Sequence, residues 1–147
     1  MERSDARVTA LTDFNPVRVK AAAQMFPVAP VCYTQIEETL ARETLDAVIV
    51  TSPDFCHAGH VIAALRAGIR HVFVDKPLAT TAQDCLNVVD AARETSGDAA
   101  IGFNMRHLPQ IQKIKEVIDE GLIGSLMMIS DQEFYDGGAD PLLLDDF

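Results

Sequence analysis

The chain has 147 residues, enough for one domain or for one domain and the start of another. With 48% hydrophobic residues it has a globular composition, and a chain of this length needs neither a disulfide nor a metal to fold. The formal net charge is −10, and basic residues such as Arg18, Lys20, Lys113 and Lys115 are scattered, which excludes a nucleic-acid reader and a binder of acidic membranes.

No apolar run approaches the ~20 residues of a membrane span. The opening MERSDARVTA lacks the apolar centre of a signal peptide. Cys32, Cys56 and Cys85 are widely spaced and odd in number, which fits a reducing cytoplasm better than a disulfide framework.

Residues 7–12 (RVTALT) read as a strand ending at Asp13. Residues 16–26 read as a helix with Pro16 in its first turn, where a missing N–H costs nothing. Residues 31–33 form a short strand. Thr34 then starts a helix, with Glu37 three residues on in a capping-box pattern. Residues 46–52 (DAVIVTS) are continuously apolar at their centre, so burial on both faces is expected. A helix follows over 55–67, with Val61, Ile62 and Leu65 on one side and Gly68 as its stop. Residues 70–74 are the next strand. Thr81 caps a helix to about residue 96, with Asp84 near its positive end and Leu86, Val89 and Ala92 as its apolar stripe. A strand over 99–103, a helix over 108–120 closed by Gly121, and an extended run over 123–135 complete the pattern. Met127 and Met128 in that run are expected to pack.

Strands alternating with helices imply parallel pairing through right-handed crossovers, a doubly wound α/β fold. In such sheets ligands bind beyond the carboxyl ends of the strands. The residues at those ends are Asp13; Thr51, Ser52, Pro53, Asp54 and His57; Asp75, Lys76 and Pro77; and Asn104, Met105, Arg106 and His107. Two charges and a proline at the tip of HVFVDKPLATT are not there for packing.

The series TSPDFCHAGHVIAALRAGIRHVFVDKPLATT followed by GFNMRHLP resembles the Gfo/Idh/MocA family of nicotinamide-dependent oxidoreductases, over most of the chain. DKPLA corresponds to that family's Glu-Lys-Pro signature. The resemblance implies a Rossmann-like cofactor domain over residues 1–122 and the beginning of an α/β substrate domain over 123–147. It also implies hydride transfer between NAD(P) and a hydroxyl-bearing small molecule such as a sugar, a cyclitol or a derivative.

Lys76 matches the lysine beside nicotinamide and substrate, where its charge stabilises a developing alkoxide. Asp75 stands in place of the more usual glutamate, and Lys76–Pro77 is expected to be cis. Asp13 matches the acid that binds the adenine ribose; no arginine directly follows it, which favours NAD over NADP. Ser52, Pro53 and His57 match the turn flanking the dinucleotide, and Asn104 and Arg106 face nicotinamide or substrate.

Plainer readings stand beside these. Asp13 can simply open a turn before Asn15-Pro16. His57 can be an ordinary residue of a first helical turn, and Arg106 with His107 a solvated helix start. Cys56, His57 and His60 lack the spaced pairs of a zinc site, and a structural role is expected for them. The chain also departs from the family pattern. No G-x-G-x-x-G turn precedes Val8, and the substrate domain is expected only in part. The sheet is therefore expected to lack its first, central strand, leaving edges open to self-association. An alternative is a truncated α/β remnant or interaction module without turnover. A flavodoxin-like regulatory fold would explain the alternation but not DKPLA.

Overall fold

The computed structural model describes residues 5–132. The chain divides into two compact units, Met1–Asn104 and Met105–Phe147. The first alternates strand and helix: β1 (Ala10–Thr12), α1 (Pro16–Ala23), β2 (Val31–Tyr33), α2 (Ile36–Arg42), β3 (Ala47–Val50), α3 (His57–Arg66), β4 (His71–Asp75), α4 (Ala82–Thr95) and β5 (Asp98–Gly102). Among the described residues all pairing is parallel. β1 pairs with β2, and β4 lies between β3 and β5 in a second sheet. The doubly wound α/β reading holds. β1 and β3 do not pair with each other.

Local chemistry sets the helix ends. The Asn15 side chain accepts from the N–H groups of Val17 and Arg18, and Pro16 opens α1. The Thr81 hydroxyl accepts from the Asp84 N–H at 3.1 Å and donates to its carboxylate at 2.7 Å, a reciprocal cap on α4. α3 stops at Gly68, whose φ of 88° suits a residue without Cβ. There Gly68 N–H bonds Leu65 O and Ile69 N–H bonds Ala64 O, the paired bonds of a Schellman turn.

The core lies between the three-stranded sheet and the helices α3 and α4. Val61, Ala64 and Leu65 of α3 meet Val72 and Val74 of β4, with Val88 and Ala91 of α4. Burying a Val or Leu side chain fully is worth about 1.5–3 kcal/mol, so this cluster dominates the first unit's stability.

Four expectations need correction. β3 is buried on one face only: Val50 is buried while Ile49 is 70% exposed, because both core helices cover the same side. The inward stripe of α4 is Val88 and Ala91, with Ala92 half-buried. Leu86 and Val89 face solvent, since Leu86 lies about 200° around the helix from Val88 at 3.6 residues per turn. Gln35, not Thr34, precedes α2, and it makes no side-chain cap. Residues 124–132 pair in no strand, and Met127 and Met128 are exposed rather than packed. The remainder of that extended run, 133–135, lies outside the described residues.

In the second unit α5 (Pro109–Asp119) ends at Gly121 in another Schellman turn, with Gly121 N–H to Ile118 O and Leu122 N–H to Val117 O. Among the described residues no helix is long and apolar enough to cross a membrane.

Candidate active site

Parallel register aligns the strand tips. Val50 is level with Val74, and Val74 with Ile101. Two residues further along, Ser52, Lys76 and Phe103 leave the sheet at the same edge. The Ser52–Pro53 turn and the Asp75–Lys76–Pro77 tip are thereby neighbours, and Asn104 follows β5 by two residues. Arg106 belongs to the second unit, in the 3-10 turn Asn104–His107. Asp13 follows β1 in the other sheet.

At the β4 tip Asp75 and Lys76 are exposed and Pro77 is half-buried. The Lys76–Pro77 peptide is cis, as expected. Asp75 does not pair with the Lys76 ammonium. Its carboxylate instead accepts the Lys76 backbone N–H at 2.8 Å. Among the described residues no carboxylate lies within ion-pair reach of that ammonium. A lysine held at its backbone and left open at its head can meet an oxygen of a ligand.

Gly102 explains how the tip fits together. It sits level with Asp75 on β5, and a Cβ there would lie 2.9 Å from Phe73 Cζ and 3.2 Å from Asp75 Oδ1. The absent side chain makes room for both. Neither the spacing nor the composition around Gly102 signals this in the sequence.

At the β1 tip the Asp13 carboxylate accepts the Asn15 N–H at 2.8 Å, so the plain turn reading describes part of what it does. Its other oxygen lies 3.7 Å from Arg18 Nε, and the Arg18 guanidinium stacks 5.5 Å over the Phe14 ring. A carboxylate offers about four acceptor positions, so Asp13 keeps capacity for ribose hydroxyls. Arg18 was not singled out from sequence because it lies five residues from Asp13; one turn of α1 returns it.

His57 is only 1% exposed. Its Nδ1 lies 2.6 Å from Pro77 O and its Nε2 2.6 Å from Ser52 O. His60, one turn on, reaches the Ser52 hydroxyl through Nδ1 at 2.9 Å. Burial pushes the His60 pKa below its usual 6.5, His57 adds to that, and Glu37 opposes it.

A family model described as an oxidoreductase family with an NAD-binding Rossmann fold, Gfo/Idh/MocA, matches residues 1–103. The chain belongs to this family. Among its relatives is the inositol 2-dehydrogenase of Gluconacetobacter diazotrophicus, 38% identical over 128 residues, which cover 86% of this chain and 37% of that protein. The inositol 2-dehydrogenase/D-chiro-inositol 3-dehydrogenase of Halalkalibacterium halodurans is 32% identical over 127 residues, covering 86% and 36%. The WlbA dehydrogenase of Bordetella pertussis, solved in complex with NADH and UDP-GlcNAcA, superposes with a TM-score of 0.75 at 26% identity, over 80% of this chain and 35% of that one. The scyllo-inositol dehydrogenase of Lactobacillus casei shares the fold, with a TM-score of 0.76 at 24% identity over 83% and 36%. The chain thus spans little more than a third of the length of the relatives it matches. What it matches is the family's NAD-binding domain.

Proposed function

We propose that this chain forms the cofactor half of an oxidoreductase that moves hydride between NAD and a hydroxyl-bearing small molecule, most closely a cyclitol. The observation that carries the reading is Lys76, exposed at the tip of β4 and without a carboxylate partner among the described residues, in a chain whose relatives are inositol dehydrogenases. We place the change from cofactor domain to substrate domain at residues 122–123, just past the Schellman turn that ends α5.

The residues at the strand tips fit a dinucleotide. Asp13 has acceptor capacity for the adenine ribose hydroxyls, and its negative charge disfavours a 2′-phosphate. Ser52 and Pro53 line the turn that flanks the cofactor, with Asp75, Pro77 and Asn104 towards the nicotinamide end. When bound, NAD supplies the hydride chemistry. Lys76 donates a hydrogen bond to the substrate hydroxyl oxygen and stabilises negative charge as it grows there. It also relays the hydroxyl proton to solvent, giving up one of its own N–H protons to water before it takes the hydroxyl's. Asp75, by holding the Lys76 N–H, fixes the backbone from which that side chain reaches.

The test is steady-state oxidation of myo- and scyllo-inositol with NAD by the protein carrying this chain. Lys76→Ala is expected to lower kcat by roughly 10²–10³-fold, the loss typical when one charge-stabilising donor is removed, with a smaller change in KM for NAD. An unchanged kcat, or turnover that needs no nicotinamide, refutes the assignment.

A further inference from the structure

We propose that His57 is a positioning residue for Lys76, a latch that fastens the exit of β4 to the exit of β3 and does not itself touch the dinucleotide. The inference rests on the cofactor reading above for its functional consequence.

The β3–β4 ladder ends at the Val50–Val74 pair. Beyond it the two chains must leave the sheet, and Pro77 has no N–H with which to continue pairing. Carbonyls that leave a ladder beside a packed core need donors from elsewhere. His57 supplies them, donating to both carbonyls when its ring carries a proton on each nitrogen. It opens α3, points inward at 1% exposure, and meets Ser52 O with one nitrogen and Pro77 O with the other, both at 2.6 Å. One ring therefore spans the gap that a further rung of backbone pairing would have closed. Ser52 is held a second time, through its hydroxyl, by His60.

The consequence falls on Lys76. It lies between two anchored points: its own N–H on Asp75 Oδ1, and the carbonyl of the next residue on His57 Nδ1. The ammonium is left to move while the backbone beneath it is fixed on both sides. A ring with both nitrogens engaged and almost no exposure has nothing left to offer a cofactor directly.

The two contacts can be separated. An asparagine amide overlays the Nδ1 position and can keep the bond to Pro77 O. A glutamine amide overlays the Nε2 position and can keep the bond to Ser52 O. A merely structural histidine would treat the two replacements alike, since each keeps one bond and loses one. The latch does not: only the Pro77 bond bears on Lys76.

The experiment measures NADH affinity of the purified chain and of His57→Asn, His57→Gln, Lys76→Ala, and each His57 variant combined with Lys76→Ala. Backbone amide exchange at Asp75, Lys76, Leu78 and Ala79 is followed alongside. His57→Asn is expected to stay close to wild type. His57→Gln is expected to weaken binding roughly threefold to tenfold, the span one neutral hydrogen bond is worth, and to speed exchange at the Lys76 amide. In the Lys76→Ala background the difference between Asn and Gln should vanish, because the latch acts through that side chain. Equal losses for Asn and Gln, or losses that multiply with Lys76→Ala, overturn the latch. If the folded wild-type chain binds no NADH, the cofactor reading falls. The latch is then decided by exchange alone, where equal rates at Lys76 in the two variants overturn it.

Discussion

Gly97→Ala and Gly102→Ala are the same substitution with opposite expected outcomes. Neither glycine has a positive φ, so alanine suits both backbones. In each case the smaller conformational freedom of the unfolded chain favours the variant by about 0.4–1 kcal/mol. The difference is what the new methyl meets. At Gly97 it would lie 2.7 Å from Leu65 Cδ2, with Thr95 Oγ1 at 3.3 Å and Arg70 O at 3.5 Å. Leu65 is fully buried in the α3 core face, so it yields only by disturbing Val61, Val72 and their neighbours. Overpacking of this kind costs about 1–3 kcal/mol, which outweighs the entropic gain and leaves Gly97→Ala roughly 1–2 kcal/mol less stable. At Gly102 the nearest atom is Phe73 Cζ at 2.9 Å, but that ring is 42% exposed and can swing outward. Stability there should change by less than about 0.5 kcal/mol, as the entropic gain offsets a small displacement. The effect should appear in function instead, since Asp75 Oδ1 at 3.2 Å must also give way. Urea unfolding followed by far-UV circular dichroism measures both, with unchanged m values as the check on comparability. Equal midpoints, or Gly102→Ala as the less stable of the two, would refute the reasoning.

Asp13→Ala removes the carboxylate that faces Arg18 and leaves the guanidinium over Phe14. It should weaken NADH binding and narrow the NADH-to-NADPH preference by about tenfold, near 1.4 kcal/mol; competition titrations with the two cofactors would measure this, and an unchanged ratio counts against the ribose role of Asp13. His60 gives a pH dependence. Its folded pKa lies below the usual 6.5, so the unfolded chain takes up the proton first. Stability should therefore be complete above 6.5 and fall as the pH drops below it towards the folded value. His60→Gln should flatten that part of a stability–pH curve, and a slope unchanged by the substitution would show that other groups set it.

The alternation of strands and helices was legible because each element carries its own signals. Pro16, Gly68, Thr81 and Gly121 each mark a helix end by local stereochemistry, and each stands where the structure puts one. The strand tips were legible for a similar reason: an apolar run that stops at a charge and a proline has few structural explanations. Burial was less so. The run AVIV reads as buried on both faces, yet Ile49 is open, because which face is covered depends on where α3 and α4 pack. The α4 stripe failed on phase, since Leu86, Val89 and Ala92 also recur at helical spacing. His57 was visible as a residue but not in its orientation. Its two acceptors are backbone carbonyls, which leave no mark in a sequence, and one comes from 20 residues away. Arg18 and Gly102 matter through neighbours brought in by a helical turn and by strand register.

The most direct measurement is a calorimetric titration of the purified, folded chain with NADH, repeated with Lys76→Ala, Asp13→Ala and, as a surface control, Lys113→Ala. The account predicts saturable binding that Lys76→Ala and Asp13→Ala weaken and Lys113→Ala leaves unchanged. Binding indifferent to Lys76 and Asp13, or no binding by the folded chain, would contradict it.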